Sequence, residues 1–198
     1  MNLEEILKNR YATKLFDGKK INEQKIEKLF ELILLSPSSY NLQPWKIKVI
    51  EDQKTKERLF SASYNQKQIT SCSHLLVFCA NLNIEENIRL LEEKLLKTKQ
   101  KNEIEEYIEV LKNFASFLKG EKRLLWAQKQ VYLIAQTTLI AAKYLGFDSC
   151  PMEGFEPEKY KEILNLPKEL VPTLVIPIGY AADKPREKIR FEKNQVFF

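Results

Sequence analysis

Glycine is scarce in this chain of 198 residues: there are five, at positions 18, 120, 146, 154 and 179. At those positions neither a Gly-x-Gly-x-x-Gly turn nor a Walker phosphate loop can be written, so the two commonest glycine-based nucleotide fingerprints are excluded. Histidine occurs once, as His74, and the three cysteines, Cys72, Cys79 and Cys150, form no Cys-x-x-Cys pair. That leaves too few ligands at close spacing for a structural zinc site. An odd, unpaired set of thiols reads as the inventory of a reducing, cytoplasmic compartment. No apolar run approaches the ~20 residues of a membrane span. The opening Met-Asn-Leu-Glu-Glu-Ile-Leu-Lys has no basic stretch followed by an apolar one, so a cleaved secretion signal is not expected. Charge of one sign is also short. The 32 Lys and Arg residues exceed the 27 Asp and Glu by only five, enough to hint at an anionic ligand and too few to demand nucleic acid.

What is present is an ordinary globular composition, 44% apolar and 30% charged, which excludes disorder and coiled-coil rods. Leu3, Ile6 and Leu7 predict a short helix over 2–9 with Asn2 as its N-cap. A second helix runs from Asn22 to Leu35, where Ser36-Pro37-Ser38-Ser39 breaks it. Alternation predicts a strand over 45–50, and residues 53–63 fit a helix. The apolar run 75–80 reads as a buried strand; so does 173–178, which Pro177 pushes toward a sheet edge or a bulge. Two amphipathic stretches joined by polar residues predict a helical hairpin over 84–119. The longest helix is expected over 122–145, stopped by Gly146. Its second half is apolar nearly all round, as in a helix buried in a core or at a subunit interface. The sum is an α+β fold in one domain (1–198), a small mixed or antiparallel sheet surrounded by helices. The hairpin is an excursion from it, and an arm begins near residue 181.

Four clusters could carry chemistry. If the first helix continued through Arg10-Tyr11-Ala12-Thr13-Lys14, Arg10 and Lys14 would share a face and could clamp a phosphate; they could equally just stabilise the helix C-terminus. Ser36 to Trp45 is a rigid loop of hydroxyl and amide side chains between two prolines, suited to a polar ligand edge or to a capped connection. In Cys150-Pro151-Met152-Glu153-Gly154-Phe155, proline fixes the chain while glycine lets backbone approach a ligand, unless the segment is a simple turn. Lys184, Arg186, Lys188 and Arg190 alternate, so an extended segment would range them on one side, facing phosphate or solvent. His74, directly before an apolar strand, reads as a hydrogen-bonded structural residue. No nucleophile–base constellation is present, which points to a cofactor.

Taken in order, these stretches resemble the nitroreductase family of FMN-dependent, NAD(P)H-using oxidoreductases, from Arg10 to about Arg190. The most specific are Arg10 to Lys14, Pro37 to Trp45 and Pro151 to Phe155. The resemblance implies a nitroreductase-like fold, an intertwined homodimer and FMN at the subunit boundary, without a metal, nucleic acid or membrane as partner. On this chain it implies that the Arg10-Tyr11-Ala12-Thr13-Lys14 stretch, with Arg10 and Lys14 foremost, holds the phosphate and ribityl end together with Lys188 and Arg190. Pro37, Ser38, Ser39 and Asn41 would come from the second subunit, while Asn65 and Gln68 would address the pyrimidine edge. Pro151 and Met152 would pack on the ring, the backbone of Glu153 and Gly154 would donate to flavin N5, and Gln130 would lie nearby. The hairpin would cover the site, with Phe114 and Phe117 as its aromatic candidates. Two departures stand out: Ala12 where the family often has serine, and Gln68 where relatives carry lysine. The implied activity is hydride transfer from NAD(P)H to nitroaromatic or quinone acceptors by ping-pong alternation. Three alternatives are a reductase or dehydrogenase dedicated to one metabolite, a non-catalytic flavin carrier, and a basic nucleic-acid-binding module built on the Lys184–Arg190 row.

Overall fold

The two apolar runs become the central strands, and the remaining elements cover them. In the computed structural model, which describes residues 2–198, β2 (His74–Asn81) and β4 (Leu170–Gly179) lie side by side. They are flanked by β1 (Trp45–Ile50) and the two-residue β3 (Asp148–Ser149). The order is β1-β2-β4-β3 and every pairing is antiparallel. Alternate residues of a strand face opposite sides, and here both sides are roofed. Leu76, Phe78 and Ala80, with Leu174, Ile176 and Ile178, pack against α2 (Glu23–Ile33) and the long α7 (Glu121–Tyr144). Leu75, Val77, Cys79 and Val175 pack on the other side against Leu59 of α3 (Gln53–Ala62), Ile69 of α4 (Gln68–Ser71) and Tyr160 of α8 (Pro157–Ile163). A strand with no solvated face has no polar positions to alternate, which is why both read as unbroken apolar runs.

Pro177 does not mark an edge strand. β4 is internal, and Val175 exchanges hydrogen bonds with Met152 (2.8 and 3.0 Å) while the Cys150 N–H donates to Pro177 O at 3.1 Å. Pro177 therefore turns its missing N–H toward the short β3 side, where one ladder bond is forgone, and keeps β2 fully paired. The register break lies elsewhere, at Phe78/Cys79 opposite Thr173.

The hairpin is not a solvated excursion. α5 (Ile84–Leu95) and α6 (Lys101–Phe117) enclose a third apolar cluster built on Ile84, Ile88, Ile104, Ile108 and Leu111, closed by Leu42 and touched by Trp126. Arg123 rivets its base. One guanidinium makes a bidentate pair with Glu85 (2.6 and 2.8 Å) and donates to the carbonyls of Leu82, Ala115 and Leu118.

The first helix ends earlier than the phosphate clamp required. α1 (Leu3–Asn9) opens with a reciprocal capping box between Asn2 and Glu5, and Arg10 is already extended (φ −70°, ψ 132°). Arg10 and Lys14 therefore share no helix face. The chain instead runs out straight, with Ala12 bridging Ser149 and the Thr13 N–H donating to Ser149 O. Beyond Tyr180 the arm carries only the short α9 (Lys193–Val196). The alternating cations there do not form a strand face: Lys188 is drawn inward while Lys184, Arg186 and Arg190 stay exposed.

Candidate functional site

An antiparallel seam brings the two chain ends together. The Asp17 N–H donates to Tyr180 O and the Ala182 N–H to Leu15 O (2.9 and 2.8 Å). Gly179 permits this approach, because a Cβ there would stand 2.8 Å from the Phe16 ring. Asp183 fastens the seam by accepting from the Lys14 N–H at 2.8 Å and from the Tyr11 hydroxyl at 3.0 Å. Burial, then Asp183, pushes the Tyr11 phenol up to about 12.

Four cations gather along the seam. Lys188 Nζ donates to the carbonyls of Lys8, at 2.8 Å, and Arg10. Lys14 Nζ lies 3.4 Å from Cys150 Sγ. Arg10 senses both Arg190 and Cys150; burial and the Arg190 charge hold its guanidinium below the usual arginine range. Burial and the neighbouring Arg10 and Arg190 likewise pull Lys188 down. Arg10 Nη1 is buried without a hydrogen-bond partner, and among the described residues no carboxylate pairs with the side chain of Arg10, Lys14, Lys188 or Arg190. Buried charges are normally paired. This arrangement is left one anion short, and a phosphate suits a guanidinium fork and ammonium groups.

The strip leads directly into the loop after β3. Cys150 is fully buried; burial raises its thiol, against the opposing pull of Lys14 and Arg10. Met152, 4% exposed, belongs to the second core, so its side chain is not free to pave an open surface, and Pro151 is the more exposed of the pair. Glu153 accepts a 2.5 Å hydrogen bond from the Tyr132 hydroxyl. The backbone N–H groups of Glu153 and Gly154 have no partner among the described residues, whereas those of Met152, Phe155 and Glu156 are all bonded. Two successive free amides form a donor site of the kind that steers a ligand atom.

A second turn faces that loop. Tyr64 and Asn65 are both left-handed (φ 53° and 56°), which carries Gln66 across to donate to Gly154 O at 2.8 Å. Gln68, only 3% exposed, donates to Gln66 Oε1 at 3.1 Å. The structure thus unites Arg10, Lys14, Lys188 and Arg190 near Cys150, and Gln68 with Glu153–Gly154 through Gln66. Gln66, Tyr132 and Asp183 were assigned no role from the sequence.

The Ser36–Trp45 loop is not part of this group within one chain. The Ser39 N–H donates to Gln130 Oε1 at 2.9 Å, and Ser38 Oγ accepts from the Gln43 N–H at 2.9 Å. Gln130 and Tyr132 both lie on α7, and two residues turn a helix by roughly 200°. The loop bearing Pro37, Ser38, Ser39 and Asn41 and the loop bearing Glu153 therefore meet opposite sides of one helix. Tyr40, Asn41 and Gln43 all have positive φ, a conformation costing side-chain-bearing residues about 1–3 kcal/mol each. The hairpin holds them there: the Tyr107 hydroxyl donates to Tyr40 O at 2.9 Å, and the Tyr40 ring leans on Phe114, which meets Trp126 edge-on. Phe114 is thereby engaged in packing. Phe117 is 68% exposed, with Lys122 over its ring.

His74 is buried, with Nδ1 2.8 Å from Ser73 Oγ. Ser73 Oγ also accepts from the Ile21 N–H, and His74 Nε2 lies 3.6 Å from Glu51 Oε2. Burial lowers the His74 pKa, against the opposing pull of Glu51. Among the described residues, no helix is long and apolar enough to cross a membrane.

Fold and site define the class of protein: an antiparallel sheet enclosed by helices, with a basic seam running into a loop of free amides. The Nitroreductase family model matches residues 7–180, and the chain belongs to that family. It is 34% identical over 194 residues to a Staphylococcus haemolyticus protein provisionally named NAD(P)H nitroreductase SH0546, covering 91% of this chain and 89% of the relative. The crystal structure of ydfN from Bacillus subtilis, provisionally a nitroreductase, superposes with a TM-score of 0.91 at 26% identity, covering 98% of this chain and 97% of that one. A similarly named Exiguobacterium sibiricum protein, solved in complex with FMN, gives a TM-score of 0.92 at 21% identity, covering 99% of this chain and 96% of that one.

Proposed function

We propose that the protein is a homodimeric, FMN-dependent oxidoreductase that takes hydride from NAD(P)H and delivers it to nitroaromatic or quinone acceptors. One observation carries the reading: Arg10 Nη1 is buried without a partner among three further cations that no carboxylate neutralises. Family membership and the FMN complex of the Exiguobacterium relative supply the identity of the anion. Arg10, Lys14, Lys188 and Arg190 hold the phosphate, with Tyr11 and Ala12 alongside the ribityl chain. Asn65 and Gln68 serve the pyrimidine edge, Pro151 borders the ring with Met152 packed beneath it in the core, and the free Glu153 and Gly154 amides aim at its reactive nitrogen. When bound, FMN supplies the two-electron carrier that the chain's own residues lack. Donor and acceptor share one site in turn, so the kinetics are ping-pong.

The geometry supports a second copy. α7 separates the Pro37–Asn41 loop and Gln130 from the Glu153 loop, so each site is completed by Pro37, Ser38, Ser39 and Asn41 of the opposite chain. Leu125, Leu133, Leu34 and Leu35 are exposed in the single chain, the kind of apolar surface that marks an interface.

The test is an absorption spectrum of the purified protein, then anaerobic titration with NADH and NADPH and a panel of nitro and quinone acceptors. A yellow dimer that NAD(P)H bleaches is expected. Colourless protein that takes up no added FMN overturns the reading.

A further inference from the structure

We infer that Gln66 is a positioning residue: its side-chain amide latches the Gly154 carbonyl and thereby fixes the direction of the free Glu153 and Gly154 N–H groups. This rests on the FMN reading above and goes beyond it by naming what aims the amide donors.

The amide orientation of Gln66 is determined from both ends. Its Nε2 donates to Gly154 O at 2.8 Å, while its Oε1 accepts from Gln68 Nε2 at 3.1 Å. A flipped amide would set two acceptors face to face at Gly154 and two donors at Gln68. Glycine on the other side eases the approach, since a Cβ at position 154 would lie 3.1 Å from Gln66 Nε2 and crowd it. Gln66 follows Tyr64 and Asn65, the two left-handed residues that terminate α3 and turn the chain toward the Gly154 loop.

The consequence lies in the peptide planes of the loop. Met152 is pinned to Val175 on the upstream side, the Phe155 N–H donates to Glu153 O, and the Glu156 N–H donates to Ala62 O. The plane between Gly154 and Phe155 has its carbonyl held by Gln66 alone. The Phe155 N–H to Glu153 O hydrogen bond couples that plane to the one carrying the Gly154 N–H, so releasing the carbonyl lets the coupled pair tilt together and re-aims the free amides. The Tyr132 hydroxyl on the Glu153 carboxylate restrains a side chain and leaves those planes free to turn. Gln68 enters as the residue that keeps the Gln66 amide from flipping.

Two variants of the full-length, FMN-loaded protein separate the contacts. Gln66→Glu removes the donor to Gly154 O and retains an acceptor for Gln68; Gln66→Met removes both at similar volume. The readouts are the rate of anaerobic flavin reduction by NAD(P)H, the FMN dissociation constant, the visible flavin spectrum and the apo melting temperature. The expected result is reduction slowed about tenfold in both variants, since misorientation at a reacting centre costs rate steeply. A shifted flavin band is expected as well, with FMN affinity changed less than about threefold. Wild-type reduction rates in both variants overturn the latch. So does slowing in Gln66→Met alone, which assigns the effect to Gln68, and so does a loss of FMN affinity parallel to the loss of rate, which marks a merely structural turn. Wild-type protein that fails to bind FMN, or to be reduced, sinks the proposed function instead.

Discussion

Arg10→Met is expected to move FMN affinity and apo stability in opposite directions. Methionine keeps most of the apolar stem and removes the guanidinium. In the protein without ligand, that group is half-buried, has one nitrogen wholly unpartnered, and feels the like charge of Arg190. Its removal relieves a desolvated and repelled charge, so the apo melting temperature should hold or rise, by roughly 2–4 °C for each kcal/mol in a domain of this size. With FMN the sign reverses. A hydrogen bond to a charged group contributes about 1.5–3 kcal/mol, and at 1.4 kcal/mol per decade the dissociation constant should rise ~10- to 150-fold. Flavin fluorescence titration of the apo protein gives the affinity, and scanning calorimetry of the same sample gives the stability. The affinity loss should shrink as salt is raised, because Arg10 is only half-buried and part of its attraction for the anion is screened. An unchanged dissociation constant, or an apo protein destabilised as much as FMN binding is weakened, would refute the anion-site reasoning.

Gln68→Lys places a cation beside the Gln66 amide, and should raise the flavin midpoint potential by favouring the anionic reduced ring; xanthine oxidase titration against reference dyes reads the shift. Gly179→Ala should cost about 1–3 kcal/mol of stability, because its Cβ would stand 2.8 Å from the Phe16 ring; a denaturant midpoint equal to the parent's rejects that contact. Burial pushes the Tyr160 phenol up to about 12, and an unfolded tyrosine titrates near ~10. The stability it lends is therefore complete below about pH 10 and lost as the pH climbs to about 12. Tyr160→Phe should flatten that alkaline slope in melts monitored across pH. Cys72, Cys79 and Cys150 are buried, with thiols raised by desolvation, so iodoacetamide at pH 8 should label them only after unfolding.

β2 and β4 were legible as apolar runs buried on both faces and β1 as an alternating one, whereas the two-residue β3 was not. The helical hairpin was legible from its 3.6-residue period, but its role as a separate core was not, since Leu42 and Trp126 reach it from outside the segment. α1 was legible over 2–9 from its apolar spacing and the Asn2 cap. The extended course of Arg10 to Lys14 was not, because it is set by the pairing of Ala12 and Thr13 with Ser149, a tertiary contact that no local pattern announces. Pro177 was read as marking a sheet edge or a bulge, and a β3 two residues long makes its internal position tolerable. The cations Arg10, Lys14, Lys188 and Arg190 were visible by residue type and family resemblance. Gln66 was not, because its partner lies 88 positions away and an amide flanked by Asn65 and Lys67 carries no signal of its own.

The seam between the chain's beginning and its last segment has a bearing on biosynthesis. Tyr11 meets Asp183 across 172 positions, and Lys188 reaches the Lys8 carbonyl across 180. β2 is flanked on both sides only once β4 has emerged from the ribosome, and Lys188 and Arg190 follow it. On the proposed reading the phosphate cradle is therefore completed in the final moments of synthesis, and a chain interrupted after Gly179 should retain its four strands while lacking two of the four cations proposed to load the cofactor.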